Sequence, residues 1–194
     1  EVQTPAPSIS TEEIGIDLGL KDLVSLSTGE KVEAPRFYRD LEPALAVAQR
    51  ARKKKRVAAL HAKIANRRKD FLHKLSTRLV TEYGFIFVGD VSSSKLAKTR
   101  MAKSVLDAGW SMLRTMLGYK ANARRVRFEI VNEAYTSRTC SVCGILSGPQ
   151  GRSGLGIREW MCSGCGTQHD RDSNAAQLIL ALGHQRLAGG IPVL

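Results

Sequence analysis

Four cysteines stand in two C-x2-C pairs, Cys140-Ser-Val-Cys143 and Cys162-Ser-Gly-Cys165, and a glycine follows each pair, Gly144 and Gly166. Glycine at that place lets backbone amides approach the sulfurs, which is the turn of a zinc knuckle. Two knuckles separated by a Gly-rich, hairpin-like segment suit one tetrahedral Zn2+ held by Cys140, Cys143, Cys162 and Cys165. Its role would be structural, because four protein ligands leave no open position for catalysis. Two disulfides or four unpaired thiols are the alternatives. No export signal favours disulfides, and a bridge within one C-x2-C pair is more typical of redox sites.

A second group of residues is acidic. Asp17 sits inside the apolar run EIGIDLGL, where burying a carboxylate is costly unless it meets a cation. Asp170 and Asp172 lie in HDRDSNAA, where the second knuckle gives way to a helix start, so either could serve merely as a cap. Several carboxylates converging on one site can hold two divalent ions that clamp the attacking water and the leaving oxygen of a phosphodiester. Mg2+ or Mn2+ suits such an oxygen-only site.

These residues need a scaffold. Glu13 to Leu20, Leu23 to Glu30 and Lys31 to Ala34 read as three short strands with tight turns, Thr28-Gly29 among them. From Leu41 to about Tyr83 helical spacing takes over, with a break expected near Asn66. FIFVGDV (85–91) reads as a buried strand. A helix is predicted from about Ala102 to Ala123, with Val105, Leu106, Trp110, Leu113 and Leu117 as its stripe. VRFEIV (126–131) is a further strand, and a last helix starts near Ser173. The fold class expected from this order is α/β: an RNase H-like mixed five-stranded sheet flanked by helices, its parallel strands joined through right-handed crossovers. We expect three parts: a linker at 1–12, the sheet domain at 13–138 and 168–194, and an inserted ribbon at 139–167. The first residue is Glu rather than Met, and Pro5 and Pro7 mark a linker, so the chain reads as part of a longer one.

Charge points to the partner. Thirty Lys and Arg against eighteen Asp and Glu leave +12 at pH 7, which favours polyanions and nucleic acid above all. The long helical region carries Arg52, Lys53, Lys54, Lys55, Arg56, Arg67, Arg68 and Lys69 with little acid among them, a pattern that suits phosphate contact better than an ordinary mixed face. Lys95, Lys98 and Arg100, in the loop after FIFVGDV, are further candidates; solvated loop charge explains them equally well. No apolar run approaches the length of a membrane span and no signal peptide opens the chain. A bacterial cytoplasmic protein, nucleoid-associated when bound to DNA, is expected.

Together, IGIDLGL, RRKDFLHKLS, TSRTCSVCG and CGTQHDRDSNAA resemble the TnpB family, transposon-encoded proteins ancestral to type V CRISPR effectors. The resemblance spans about Glu13 to Leu182. It implies a RuvC-type nuclease domain that cleaves DNA under the direction of a guide RNA, with sequence choice delegated to base pairing. It also implies that the guide-binding half lies upstream. Asp17 then matches the family's first catalytic carboxylate and Asp172 the last.

One position departs from that pattern. The family's middle Glu ends the fourth strand, as in I-E-D-L, whereas this chain reads Val88-Gly89-Asp90-Val91. Asp90 should point to the opposite face by strand alternation. In one reading Glu133, just past the neighbouring parallel strand in FEIVNEAY, spans the roughly 4.8 Å between strands and supplies the missing carboxylate; Glu129 is a weaker candidate because it lies mid-strand. The other reading is a guide-dependent, repressor-like DNA-binding protein that no longer cuts. A zinc-ribbon transcription factor would explain the cysteines and charge but leaves Asp17 and DRDSNAA without a role.

Overall fold

The computed structural model describes residues 10–91, 98, 101–151 and 153–189. Strand β1 (Glu13–Leu18) pairs antiparallel with β2 (Asp22–Leu26), which pairs with β3 (Lys31–Glu33); on its other side β1 pairs parallel with β4 (Phe85–Gly89), and β4 with β5 (Arg127–Val131). The sheet order β3-β2-β1-β4-β5 is the expected mixed five-stranded, RNase H-like layout. Its two parallel joins each pass through helices, as parallel neighbours require.

Alternation along β1 sends Ile14, Ile16 and Leu18 into the larger core, against Leu72, Leu75 and Leu79 of α2 (Lys54–Glu82) and Leu113 and Leu117 of α4 (Trp110–Arg124). The opposite face is covered by α5 (Arg171–Gly189), with Phe87, Val131 and Ile179 as its core. Gly15 lies on this second face. A Cβ there would collide with the backbone of Ala176 and Leu180, so the missing side chain lets α5 run against β1 itself. Ala175 and Ala176 are small enough for the same approach and are fully buried.

The helical region differs from expectation in where it breaks. α1 (Phe37–Arg50) and α2 are separated at 51–53, where Arg52 adopts φ 52°, and Asn66 lies within an uninterrupted α2. Asn costs a helix interior only about 0.5 kcal/mol, less than the packing of the stripe that continues through it. The reversal at Arg52 instead lets Leu45 and Ala48 of α1 meet Leu60 of α2. The helix expected from Ala102 is likewise two helices, α3 (Ala102–Ala108) and α4, divided at Gly109 with φ 69°. Leu106 consequently leaves the apolar stripe and is 64% exposed.

After β5 the chain forms both knuckles, a short 3-10 turn (Ser153–Gly156) and a two-stranded antiparallel sheet, β6 (Glu159–Met161) with β7 (Gln168–Asp170). β7 runs directly into α5. Among the described residues no helix is long and apolar enough to cross a membrane.

Candidate functional site

A cleft of about 480 Å³ opens where β1 and β4 end and α5 begins; its walls include Asp17, Glu133, Asp172, Arg158 and Arg171, with Trp110 on the side of the large core. Asp17 follows Gly15 on the α5 face, so the close approach at Gly15 brings the first turn of α5, and Asp172 with it, toward Asp17. Asp170 is not part of this wall. Its Oδ1 accepts the backbone N–H of Ser173 at 2.9 Å and its Oδ2 pairs with Lys31 Nζ at 2.7 Å, so it caps α5 and ties it to β3. The capping role open to either aspartate thus falls to Asp170, and Asp172 is left to face the cleft.

Glu133 stands two residues beyond β5. The register Gly89↔Val131, continued two residues, puts it on the same face as Gly89, and its side chain reaches back across β4: a Cβ on Gly89 would overlap Glu133 Oε2 and approach Ile179 Cδ1 to 3.1 Å. That oxygen is buried and has no hydrogen-bond partner. Glu129, the weaker candidate, is engaged by Arg127 on the strand itself. Asp90 is exposed at the end of β4 and stands outside the cleft walls.

Burial dominates the electrostatics of the two inner carboxyls, Asp17 and Glu133. Burial, then Glu133 and Asp172, push the Asp17 carboxyl up to about 8, against the opposing pull of Arg171 and Arg158. Burial and then Asp90 push Glu133 up to about 7, opposed by Arg114 and a hydrogen bond from the Val91 backbone. Arg158 Nη1 spans both oxygens of Asp172, at 3.0 and 2.9 Å. Carboxylates that resist ionisation in company, with one buried oxygen unbonded, fit a divalent cation. Asp172 is here bonded to Arg158, and the three carboxylates do not converge within 4.8 Å as the four cysteines do.

The cysteines form a tighter group. Cys140 Sγ lies 3.7 Å from Cys165 Sγ and Cys143 Sγ 3.5 Å from Cys162 Sγ, near the ~3.8 Å edge of a tetrahedron with ~2.3 Å Zn–S bonds. All four are free thiols, so neither disulfide pairing is present. Gly144 and Gly166 take φ 77° and 72°, and their amides close on the carbonyls of Cys140 and Cys162 at 2.9 Å. Ser147 and then backbone amides hold the Cys162 thiol down to about 5. His169 sets Nε2 3.0 Å from Cys140 Sγ and packs on Trp160 with ring centroids 4.6 Å apart.

Three residues that sequence reasoning missed tie these parts together. Arg158 and Arg171 flank the cleft, and the Arg171 amide donates to the Arg158 carbonyl at 2.7 Å. Asn174, 1% exposed, accepts the Ser141 amide and donates to the Thr136 and Thr139 carbonyls at 3.1 and 2.8 Å, fastening the loop from Glu133 to the first knuckle onto α5. A polar residue on the buried side of SNAA was the available signal. Arg171 lies within HDRDSNAA but nothing local marked its role, and the partner of Arg158 lies 14 residues away.

The basic residues divide. Arg52, Lys53, Lys54, Lys55 and Arg56 crowd the exposed α1–α2 reversal, and Arg67 and Lys69 are exposed on α2. Arg68 is the exception. It pairs with Asp107 Oδ1 at 2.7 Å and donates from Nε to the Asp107 carbonyl at 2.9 Å, with side-chain exposures of 19% and 6%. Its charge is therefore committed to joining α2 and α3, and it is removed from the phosphate-binding set. Lys98 is exposed, and Lys95 and Arg100 lie outside the described residues.

A mixed five-stranded sheet flanked by helices, with a four-cysteine ribbon joined to its last helix and a carboxylate-lined cleft between them, defines a RuvC-type RNase H-like protein. Residues 1–100 match a family described as "Probable transposase", and residues 110–179 one described as "Cas12f1-like, TNB domain". The chain belongs to this TnpB-like transposase family. It is 42% identical, over 93% of its length and 47% of the relative's, to a Streptomyces pristinaespiralis protein named "Putative RNA-guided DNA endonuclease". It is 32% identical, over 98% of its length and 53% of the relative's, to the Escherichia coli K12 protein of that name designated InsQ. The chain thus spans about half the length of these curated relatives. A Cas12f1 solved by cryo-electron microscopy with its single guide RNA and target DNA shares the fold, at TM-score 0.64 and 19% identity over 92% of this chain and 51% of that one.

Proposed function

We propose that this chain is the nuclease half of an RNA-guided DNA endonuclease, cutting phosphodiesters with divalent ions held by Asp17, Glu133 and Asp172. The observation that carries this reading is the Glu133 carboxylate. Its Oε2 lies buried and without a hydrogen-bond partner in the space that Gly89 leaves, while the Val91 backbone bonds the carboxylate. A carboxyl so placed is tolerated when protonated, and its ionised form calls for a compensating cation. Mg2+ or Mn2+ there would supply Lewis-acid activation of water and stabilise the leaving oxygen. The protein's part is to keep the three carboxylates on one wall, to hold Asp172 on the first turn of α5, and to present Arg158 and Arg171 beside them. Zn2+ on the four thiolates would fix the ribbon whose β7 leads into α5. The exposed cations at the α1–α2 reversal meet nucleic-acid phosphates; α2 starts with Lys54, Lys55 and Arg56 and no acid in its first turn, an arrangement that attracts anions. DNA and a guide RNA are the partners in the whole protein, which would act in the bacterial cytoplasm and at the nucleoid. The boundaries of this reading are a linker at 1–12, the nuclease domain at 13–138 and 168–194, and the ribbon at 139–167.

The test is Mg2+- or Mn2+-dependent cleavage of single-stranded DNA by the wild type, Asp17→Ala, Glu133→Ala and the exchange Gly89→Glu/Glu133→Ala. Activity lost in both single variants and recovered in the exchange supports the rearranged site. Activity kept by Glu133→Ala removes Glu133 from it. The Arg158–Asp172 pair favours a second reading, a guide-dependent binder that does not cut. Inactivity of every form, repeated in the full-length protein with its guide, would establish that reading instead.

A further inference from the structure

The end of the β4–β5 ladder is irregular at the place where Glu133 leaves it. Asp90 donates its backbone N–H to the Val131 carbonyl at 2.9 Å, as a parallel ladder requires. In a regular ladder the carbonyl of the same residue would next accept the N–H of Glu133. Here the Asp90 side chain takes that place: its Oδ1 accepts the Glu133 N–H at 3.1 Å. The Glu133 carbonyl is held from the other side by the amide and hydroxyl of Thr136, at 3.1 and 2.9 Å. Thr136 is buried, and its own carbonyl is fastened to Asn174. The backbone of Glu133 is therefore fixed at both its donor and its acceptor while its side chain crosses to Gly89.

We propose that Asp90 is the positioning residue for Glu133, its Oδ1 replacing a ladder carbonyl so that the chain turns and delivers the Glu133 carboxylate over Gly89. This rests on the reading of Glu133 as an ion-holding carboxylate. Asp90 acts through a hydrogen-bond acceptor, not by touching the ion. A carboxylate carried beyond the end of a strand must be held within about 0.5 Å of its working place, and a Glu reaching across from the next strand needs an anchor that a residue rooted at position 89 would not.

The experiment is Mn2+ titration calorimetry on the 194-residue chain, with melting temperatures recorded in parallel. Asp90→Ala should weaken Mn2+ binding about tenfold, the scale seen when a group that orients a metal ligand is removed. Asp90→Asn keeps the Oδ1 acceptor and should recover the affinity to within about threefold. In a Glu133→Ala background, Asp90→Ala should have no further effect, because nothing is left to position. Unchanged binding in Glu133→Ala would overturn the reading of Glu133 and this inference with it. Weakening in Glu133→Ala with none in Asp90→Ala would overturn the role of Asp90 alone. So would an Asn variant as weak as the Ala variant, or an equal loss from Asp90→Ala in both backgrounds.

Discussion

Glu133→Gln keeps the side-chain volume over Gly89 while removing a charge that burial and Asp90 disfavour in the metal-free cleft. The metal-free chain should therefore gain thermal stability at pH 8. Burial and Asp90 raise the Glu133 carboxyl from its ordinary 4.5 to about 7. Between those values the folded state binds a proton that the unfolded chain does not. The associated stability is complete below about pH 4.5 and is lost as the pH rises through about 7. At about 1.4 kcal/mol for each tenfold change in proton affinity, that displacement is worth about 3 kcal/mol. Water still reaches part of the side chain, which reduces the effect to about 1–2 kcal/mol. For a chain of this size the gain is roughly 2–8 °C in Tm. Glutamine is neutral at every pH, so the advantage over wild type should be present at pH 8 and fall to about a quarter of that size near pH 5. Asp17 reinforces the sign, because the Glu133 charge helps hold its carboxyl at about 8. Scanning calorimetry in buffer free of Mg2+ and Mn2+ gives the comparison. Added Mn2+ should then raise Tm in the wild type more than in the variant, by linkage to binding. Equal melting temperatures at pH 8, or a gain of the same size at pH 5, would refute the claim that this carboxylate is held at a cost.

Four further outcomes follow from other parts of the structure. Gly15→Ala should destabilise the fold by about 1–3 kcal/mol and weaken Mn2+ binding, because the new methyl meets α5 backbone rather than a side chain that can move; denaturant titration and calorimetry read the two effects together. Native mass spectrometry should find one zinc per chain, and its removal by chelator should melt the ribbon before the sheet, seen as rising thiol reactivity with the α5 amides still protected from hydrogen exchange. Replacing Lys53, Lys54, Lys55 and Arg56 by alanine should lower DNA affinity and flatten its salt dependence, by up to about 0.9 in the log–log slope for each phosphate no longer neutralised. Arg68→Ala, by contrast, should leave that slope unchanged while costing about 3–5 kcal/mol of stability, because Asp107 would remain buried without its partner.

Much of the site was legible from residue types and spacing. The knuckles are local: ligand, spacing and turn lie within a few residues, so C-x2-C-G carries its own geometry. Asp17 was conspicuous because a carboxylate in an apolar strand needs a reason, and Glu133 was proposed because the family resemblance implies a Glu where this chain has Gly89, and β5 neighbours β4. Helix limits were less legible. The reversals at Arg52 and Gly109 depend on what the helices pack against, and an unbroken helical period looks the same in sequence whether or not the chain folds back.

The sequence by itself determined the element order, the paired cysteines and the surplus of positive charge, since each is a matter of residue type and short spacing; the proposed carboxylate set, scattered along the chain, came from the family resemblance. Only the tertiary structure decided how they meet. It made Asp170 a cap and Asp172 a wall of the cleft, because one helix start has room for each role at one place. It brought Arg158 onto Asp172 across 14 residues, paired Arg68 with Asp107 across 39, and set Asp90 against Glu133 across 43. The Arg68 pairing is set by how α3 packs on α2 and the Asp90 contact by the turn after β5, while the Arg158 pairing is set by how closely α5 and the ribbon approach the sheet edge. That distance depends on the glycines at 15 and 89 acting together with everything packed around them.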